Sequence, residues 1–454
     1  MSDFSSHLRE HALAIWQAAD QAVRADDLVR AAFADAALGL RAALSHAPRI
    51  LVVGAGKAGA AMSAGLEDAL TDFLDHLEGV VNVPAESVRP LRRIRLHAAR
   101  ASGTNRPTVE GVQGTEQILH LLETAGAEDV CVCLLSGGGS ALLPAPVDGV
   151  SLADKQQVTR LLHACGTTIN EMNTVRKHLS RSKGGRLAAA FKGRALYSLI
   201  ISDVVGDPLD VIGSGPTAAD PTTFADALAV LERCGQVPGS VAKSGDAQLP
   251  PSVRRYLHEG AAGKHPETLK SLPAQVRNLV IGNNARALAA AKAKAEELGY
   301  PVLNLGAFLE GDTQQAALLH AGLIRSIRVD GEPLPPPVCL LSGGETTVTL
   351  SADHGLGGRN QEFVLAAALK LGSVGLPGVV VLSAGTDGED GPTDAAGAMA
   401  DQETFPRAEA RGLALAKYLN RHDAYHFFEA TGDLVKTGLT ETNVMDVRVI
   451  LVTK

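Results

Sequence analysis

Along this 454-residue chain, apolar runs repeatedly break into glycine clusters and then resume as helix-forming sequence. The pattern appears at RILVVGAGKAGAAM, again at DVCVCLLSGGGSALL, and a third time where ALYSLIISDVVGD follows the helical stretch DKQQVTRLLHACGTTINEM. Short apolar runs alternating with helices predict right-handed crossovers and a largely parallel sheet covered by helices, which places the chain in the α/β class. The 47 glycines fit many turns better than a helical bundle.

Single hydrophobic cores usually stop growing near ~250–300 residues, so two domains are expected. The stretch holding QVPGSVAKSGDAQLPPSVRRY and GKHPETLKSLPA changes character, which suggests an N-terminal domain over 1–240, a connection over 241–275 and a C-terminal domain over 276–454. Strand candidates of the second domain are NLVIGN, VLNLG, VCLLSGG, VVVLSAGTDG, YHFFEA and VRVILVT. The first ~45 residues read as helices with a stripe of Leu13, Trp16, Ala19, Val23 and Leu28.

A formal charge of −8 argues against nonspecific nucleic-acid binding but permits a local basic pocket. The opening MSDFSSHLREHALAIWQAAD mixes charges into a helical pattern and lacks a signal-peptide layout, and no apolar run reaches ~18 residues. A soluble cytoplasmic protein without a membrane partner is the expectation. Five cysteines, Cys131, Cys133, Cys165, Cys234 and Cys339, read as reduced thiols of a large core. Homodimer formation stays open.

Gly54-Ala-Gly56-Lys57-Ala-Gly59 has GxGxxG spacing between a strand and a helix, where amide groups and the helix dipole favour an anion. That spacing makes an NAD(P)H-linked reductase one reading. Against it, GVVNVPA ends without the acidic residue that would hold a ribose. Lys57 adds a mobile positive charge suited to a carboxylate or a transferring phosphoryl group. No Walker A run is present.

Further loops are of the same physical kind. Gly137, Gly138 and Gly139, followed by Ser140, can turn amides onto an anion because no side chains obstruct them. Arg176, Lys177, Arg181, Lys183 and Arg186 concentrate positive charge within eleven residues, and Arg176, Lys177 and Lys183 are the members expected to hold phosphate. The strand end ISDVVGDPLD carries Asp203 and Asp207 ahead of a turn with Gly215, so these carboxylates are candidates for catalysis (Asp203) and for Mg²⁺ (Asp207). In the second half, Gly343, Gly344 and Glu345 follow a strand. Arg359 opens a helix with the reach to grasp a carboxylate or phosphate. Asp387 is a candidate for Mg²⁺–nucleotide coordination.

Taken together and in order, GAGKAG, SGGGSALLPAP, NTVRKHLSRSKGGRLA, SDVVGDPLDVIGSGPTAADPTTFADA, SGGETTVTL, GGRNQE and SAGTDGEDGPTDAAG resemble the two-domain bacterial glycerate 2-kinase family, also called the MOFRL family and sometimes labelled hydroxypyruvate reductase. The resemblance spans nearly the whole chain. It implies a Rossmann-like N-terminal domain with a smaller α/β C-terminal domain, and a cleft between them where Lys57 and Arg359 match the family's active-site lysine and arginine. It further implies ATP and Mg²⁺ as cofactors and transfer of the γ-phosphate to the 2-hydroxyl of D-glycerate. Reduction of hydroxypyruvate and a non-enzymatic phosphate-binding regulator are the alternatives. Two departures bear on substrate preference. HAARASGTNRPTVEG stands where many relatives have HPVPDE. Leu439, Glu441 and Met445 interrupt the family's TGPTGTNVND.

Overall fold

The computed structural model describes residues 2–101, 106–236, 249–351 and 353–454. Part of the expected connection (241–248) and part of the departing His97–Gly111 loop (102–105) lie outside the described residues. No helix among them is long and apolar enough to cross a membrane.

Six strands form the first sheet: β1 (Ile50–Ala55), β2 (Leu77–Pro84), β3 (Ile94–Arg100), β4 (Val130–Leu135), β5 (Ala195–Ile201) and β6 (Val276–Gly282), in the order β3-β2-β1-β4-β5-β6. The β1–β2, β2–β3, β1–β4 and β4–β5 pairs are all parallel. This is the Rossmann-like doubly wound order, whose direction reverses between β1 and β4, and ligands of such sheets bind beyond the strand ends at that reversal. Every residue of β1 and β4 is buried, as expected where helices cover both faces. Cys131 and Cys133 lie in this core, where burial pushes both thiols above their usual range. Ser151 with Asp154 and Thr168 with Glu171 form capping boxes that start the helices Leu152–Ala164 and Ile169–His178.

The second sheet comprises β7 (Val302–Asn304), β8 (Val338–Gly344), β9 (Val379–Gly385), β10 (Gly397–Ala400), β11 (Leu434–Val435) and β12 (Asp446–Val452), ordered β11-β10-β9-β12-β8-β7. Only β7–β8 is parallel; β12 runs antiparallel to both neighbours, as do the β9–β10 and β10–β11 pairs. The parallel expectation therefore holds for the first sheet, and the second is mixed. YHFFEA, expected as a strand, lies in the helix Ala424–Thr431. Phe427 and Phe428 are both fully buried there, and Gly432 ends the helix in the left-handed region.

The chain divides into two compact units along lines other than those expected at 240 and 275. Ala25–Ser202 with Asp207–Ile281 forms one unit, so NLVIGN joins the first sheet as β6 rather than opening the second domain. The other contains Asp203–Gly206, Gly282–Lys454 and the first 24 residues. Helix Ser2–Gln21 packs on the helix Asn284–Glu297 and on β12 and β9. Trp16, 1% exposed, donates its indole N–H to the Ala384 carbonyl at 3.3 Å. Arg9 reaches two buried carboxylates, Asp401 and Asp433, each at 3.0 Å. Sequence adjacency misleads here because an amphipathic helix goes where its apolar face finds cover.

Candidate active site

In the first-sheet unit, the two glycine loops that follow β1 and β4 lie side by side at the reversal point. A Cβ at Gly54 would stand 2.1 Å from the Leu134 carbonyl oxygen, and one at Gly56 would stand 2.0 Å from the Ser136 hydroxyl. These glycines therefore serve close backbone approach. The amides of their loop are also occupied within the protein: Gly56 N–H donates to the Asn82 carbonyl (3.2 Å), Lys57 N–H to the Gly137 carbonyl (2.8 Å) and Ala58 N–H to the Ser136 hydroxyl (3.1 Å). A pyrophosphate on this loop would have to displace those partners, so the expected cofactor contacts of Gly54 and Gly56 are not formed in this geometry.

The second loop is different. Among the described residues, no protein acceptor takes the amides of Gly137, Gly138 and Ser140, while Gly139 N–H is bonded to the Ser136 carbonyl at 3.2 Å. Gly138 has φ +79°, a conformation that opens the loop and that side chains resist. A Cβ on Gly138 would lie 3.5 Å from Lys57 Cγ and 3.9 Å from Arg100 Nη2, so both cationic side chains lean over this glycine. Arg100, nine-tenths buried at the end of β3, also lines an open cavity of about 770 Å³ with Thr108, Leu152 and Gln156.

The cations expected to hold phosphate separate into two kinds. Lys177 is 2% exposed and faces Asp210 at 2.9 Å and Asp220 at 3.3 Å, so its charge is matched inside the fold and not directed to a ligand. Lys183 has no carboxylate partner among the described residues; its ammonium donates to the carbonyls of Ser140 (3.0 Å) and Gly213 (3.3 Å). Burial, followed by the charges of Lys155 and Arg176, lowers it well below the ordinary lysine range. Arg176 is half-buried, and burial lowers it too. Ser140 shares a 2.7 Å hydrogen bond with Ser214, whose hydroxyl donates to Asn173 Oδ1 at 3.0 Å. The Gly215 amide is bonded to the Ile212 carbonyl at 2.9 Å, and a Cβ there would meet the Asp210 backbone at 2.9 Å. Close packing is what this position shows. Asp207 sits in a turn at φ +55° within this unit, whereas Asp203 groups with the other unit.

In the second unit, Arg359 begins the helix Arg359–Leu371 and binds Asp446 through two nitrogens, Nε–Oδ2 at 2.7 Å and Nη2–Oδ1 at 3.0 Å. Its Nη1 reaches Glu345 at 2.7 Å. Burial opposes its charge, yet Asp446 foremost, with Glu345 and Asp390, raises its pKa above the ordinary arginine value. Asp446 is fully buried and also accepts from Asn360 Nδ2 (2.9 Å) and Arg448 Nη2 (3.3 Å). Burial alone would raise this carboxyl, but Arg359 and then Arg448 hold it below the usual range. Arg448, fully buried, lies 5.0 Å over the Phe363 ring, with Nε and Nη1 lacking hydrogen-bond partners among the described residues. The helix start expected to reinforce anion binding by Arg359 is already taken, because Asp390 accepts from the amides of Asn360 (3.0 Å) and Gln361 (2.8 Å). Burial pushes Asp390 up to about 7.

Gly343 and Gly344 also prove to be packing glycines. A Cβ on either would lie 1.7 Å from Asn284 Oδ1 or 2.3 Å from the Leu309 carbonyl oxygen, respectively. Glu345 is exposed beside Arg359. Asp387 is half-exposed in the turn after β9, where Oδ1 accepts from Glu389 N–H at 3.2 Å. Among the described residues, no group of three or more His, Cys, Asp or Glu side chains could hold a metal by itself. Mg²⁺ is ordinarily held by one or two carboxylates with phosphate oxygens and water, and Asp207 or Asp387 has the chemistry for that.

Arg100, Lys155, Asp446 and Arg448 had not been singled out from sequence. Arg448 carried a signal, a lone arginine inside the apolar run VRVILV. Asp446 ends the run TNVMD, whose spacing to Arg359 is visible only in three dimensions.

A family model described as a domain of unknown function, DUF4147, matches residues 11–257, and that of the MOFRL family matches residues 338–446. Glycerate 2-kinase of Pyrococcus horikoshii is 38% identical, over 89% of this chain and 88% of that protein. A putative hydroxypyruvate reductase of Agrobacterium vitis is 42% identical, over 89% of this chain and 87% of its own length. The crystal structure of a glycerate kinase from Thermotoga maritima superposes with a TM-score of 0.84 at 34% identity, covering 99% of this chain and all of that one. With both sheets, both family regions and nearly full-length relatives in agreement, the chain belongs to the two-domain MOFRL glycerate kinase family.

Proposed function

We propose that this protein is an ATP-dependent glycerate 2-kinase, converting D-glycerate and ATP to 2-phospho-D-glycerate and ADP. One observation carries the choice between the readings. The amides of the dinucleotide-like loop at Gly56–Ala58 are bound within the protein, whereas those of Gly137, Gly138 and Ser140 have no protein acceptor among the described residues, and Lys57 and Arg100 lie near Gly138. Amides without a protein acceptor beside cationic side chains suit a phosphoryl group, while the loop that a nicotinamide dinucleotide would use has its amides taken. The name of the Pyrococcus relative supports the same choice, and that of the Agrobacterium relative keeps reduction in the test.

In this reading the γ-phosphorus breaks its bond to the β,γ-bridging oxygen and bonds the 2-hydroxyl oxygen of glycerate, whose proton passes to a carboxylate, with Asp203 assigned that part. Lys57 is assigned the neutralisation of charge on a phosphoryl group at its own unit's glycine loops, and Arg359 the grasp of an anionic group in its unit. Asp446 fixes the Arg359 fork so that its orientation is set before substrate arrives. Mg²⁺, held by Asp207 or Asp387 together with phosphate oxygens, would supply charge neutralisation. The expected partners are thus small molecules.

Incubation with D-glycerate, Mg²⁺ and ATP, with ADP and the phosphoglycerate isomers resolved, should give 2-phosphoglycerate. Hydroxypyruvate with NAD(P)H, run in parallel, should leave the dinucleotide unoxidised. Oxidation of the dinucleotide without ADP formation would replace the kinase reading by the reductase one. Lys57→Met should lower kcat by on the order of 10²-fold or more.

A further inference from the structure

Lys155 lies on the helix Leu152–Ala164, is 8% exposed, and its ammonium has no hydrogen-bond partner among the described residues. Arg176, from the neighbouring helix Ile169–His178, and Lys183 are likewise without a carboxylate partner among the described residues. Arg181 is paired with Glu116, and Arg186 donates to the carbonyls of Ser180 and Pro266. Three cations enclosed together with no carboxylate are costly unless something of opposite charge joins them.

We infer that Lys155, Arg176 and Lys183 form a phosphoryl-binding site beside Ser140, and that Lys155 contacts the bound group directly. A single carboxylate would leave most of this positive charge unmatched, whereas a phosphoryl dianion answers it and offers three acceptor oxygens. The open amides of the Gly137–Ser140 loop adjoin the site, because Lys183 donates to the Ser140 carbonyl. The carrier of that group, nucleotide or phosphorylated acid, rests on the kinase reading; the site itself does not.

Burial, then Arg176, Arg186 and Arg181, brings Lys155 down to about 7. His163 on the same helix is lowered by burial and by Arg176, while Tyr256, from the helix Pro251–Ala261, faces Arg186. At pH 8 the free site therefore holds Lys155 largely neutral, and a phosphoryl dianion should draw a proton onto it.

The test is calorimetric titration of the full chain with inorganic phosphate, and separately with ADP, at pH 8 in two buffers of different ionisation enthalpy. Wild type should take up protons on binding phosphate, one at Lys155 and a further one at Lys183, which burial also lowers. Lys155→Met should fold with an unchanged or higher Tm, bind phosphate at least tenfold more weakly and take up about one proton fewer, while the exposed control Lys192→Met should match wild type. Should Lys155→Met not fold, Arg176→Met must show the same weakening. A parallel loss of ADP affinity makes the nucleotide the carrier, and an unchanged ADP affinity makes it the phosphorylated acid. The inference is overturned if wild type binds neither probe, or if affinity and proton uptake are both unchanged in the folded variant. Retained 2-phosphoglycerate formation with those null results would leave the kinase reading standing, and phosphate binding without any kinase activity would do the reverse.

Discussion

Arg359 is held by a carboxylate that itself has no access to water, and removing that carboxylate's charge tests both stability and chemistry. Asp446→Asn keeps the shape but leaves the buried Arg448 without its counter-charge and Arg359 with Glu345 as its remaining ion pair. A loss of ~3 kcal/mol or more is expected in urea denaturation, since breaking a buried pair costs about 3–5 kcal/mol. In the folded fraction, kcat should fall by at least tenfold, because the guanidinium fork is no longer fixed. Arg359→Lys should not restore activity, as lysine cannot make the two-pronged contact. The departures near the C-terminus have a conformational meaning at the same scale. Glu441 and Met445 hold φ of +57° and +71°, and they stand at the glycine and second asparagine of the family pattern TGPTGTNVND. A side chain in the left-handed region costs ~1–2 kcal/mol, of which a glycine would return part to its own greater freedom when unfolded. Glu441→Gly should therefore raise stability by ~0.5–1 kcal/mol, and Met445→Asn by less. A drop in Tm for both would mean that these residues make compensating contacts.

At the scale of elements, the two glycine loops should respond oppositely to one added methyl group. Gly56→Ala drives a Cβ into Ser136 and its backbone, where nothing flexible can yield, so insoluble or unfolded protein is expected on expression. Gly138→Ala meets only ordinary contacts at 3.5 and 3.9 Å and should fold, at a cost of ~1–2 kcal/mol for its φ. Its raised KM for ATP, against a smaller change in kcat, would mark the loop as a binding element. Much of this architecture was legible beforehand: the strand-to-glycine junctions and the α/β class. What the loops do with their amides was not, because the acceptors Asn82, Ser136 and Gly137 come from other strands and loops. Lys177 misled for a related reason. Its neighbours in sequence are cations, and the aspartates that neutralise it lie 33 and 43 residues away. The helix Ala424–Thr431 was misread because adjacent Phe427 and Phe428 suit a strand as well as a buried helix end.

For the whole molecule, the membership of the first helix decides what a truncation does. Deleting residues 1–24 should destabilise the unit containing β8, β9 and β12 and leave the first-sheet unit nearly unchanged, since Trp16 and Arg9 contribute to the former. Hydrogen exchange resolved by peptide should show faster exchange across Val379–Gly385 and Asp446–Val452, with Ile50–Ala55 as the internal reference. Equal acceleration in all three would mean that the chain unfolds as one body. The same connectivity imposes an order on biosynthesis. The helix Ser2–Gln21 leaves the ribosome long before β12, and the surface that shelters its tryptophan is not complete until that strand is translated. At ~5–20 residues per second, that is a wait of roughly 20–90 s. Throughout that interval the nascent chain carries an uncovered greasy flank, so chaperone supply during synthesis should limit soluble yield more than the strength of the finished fold does.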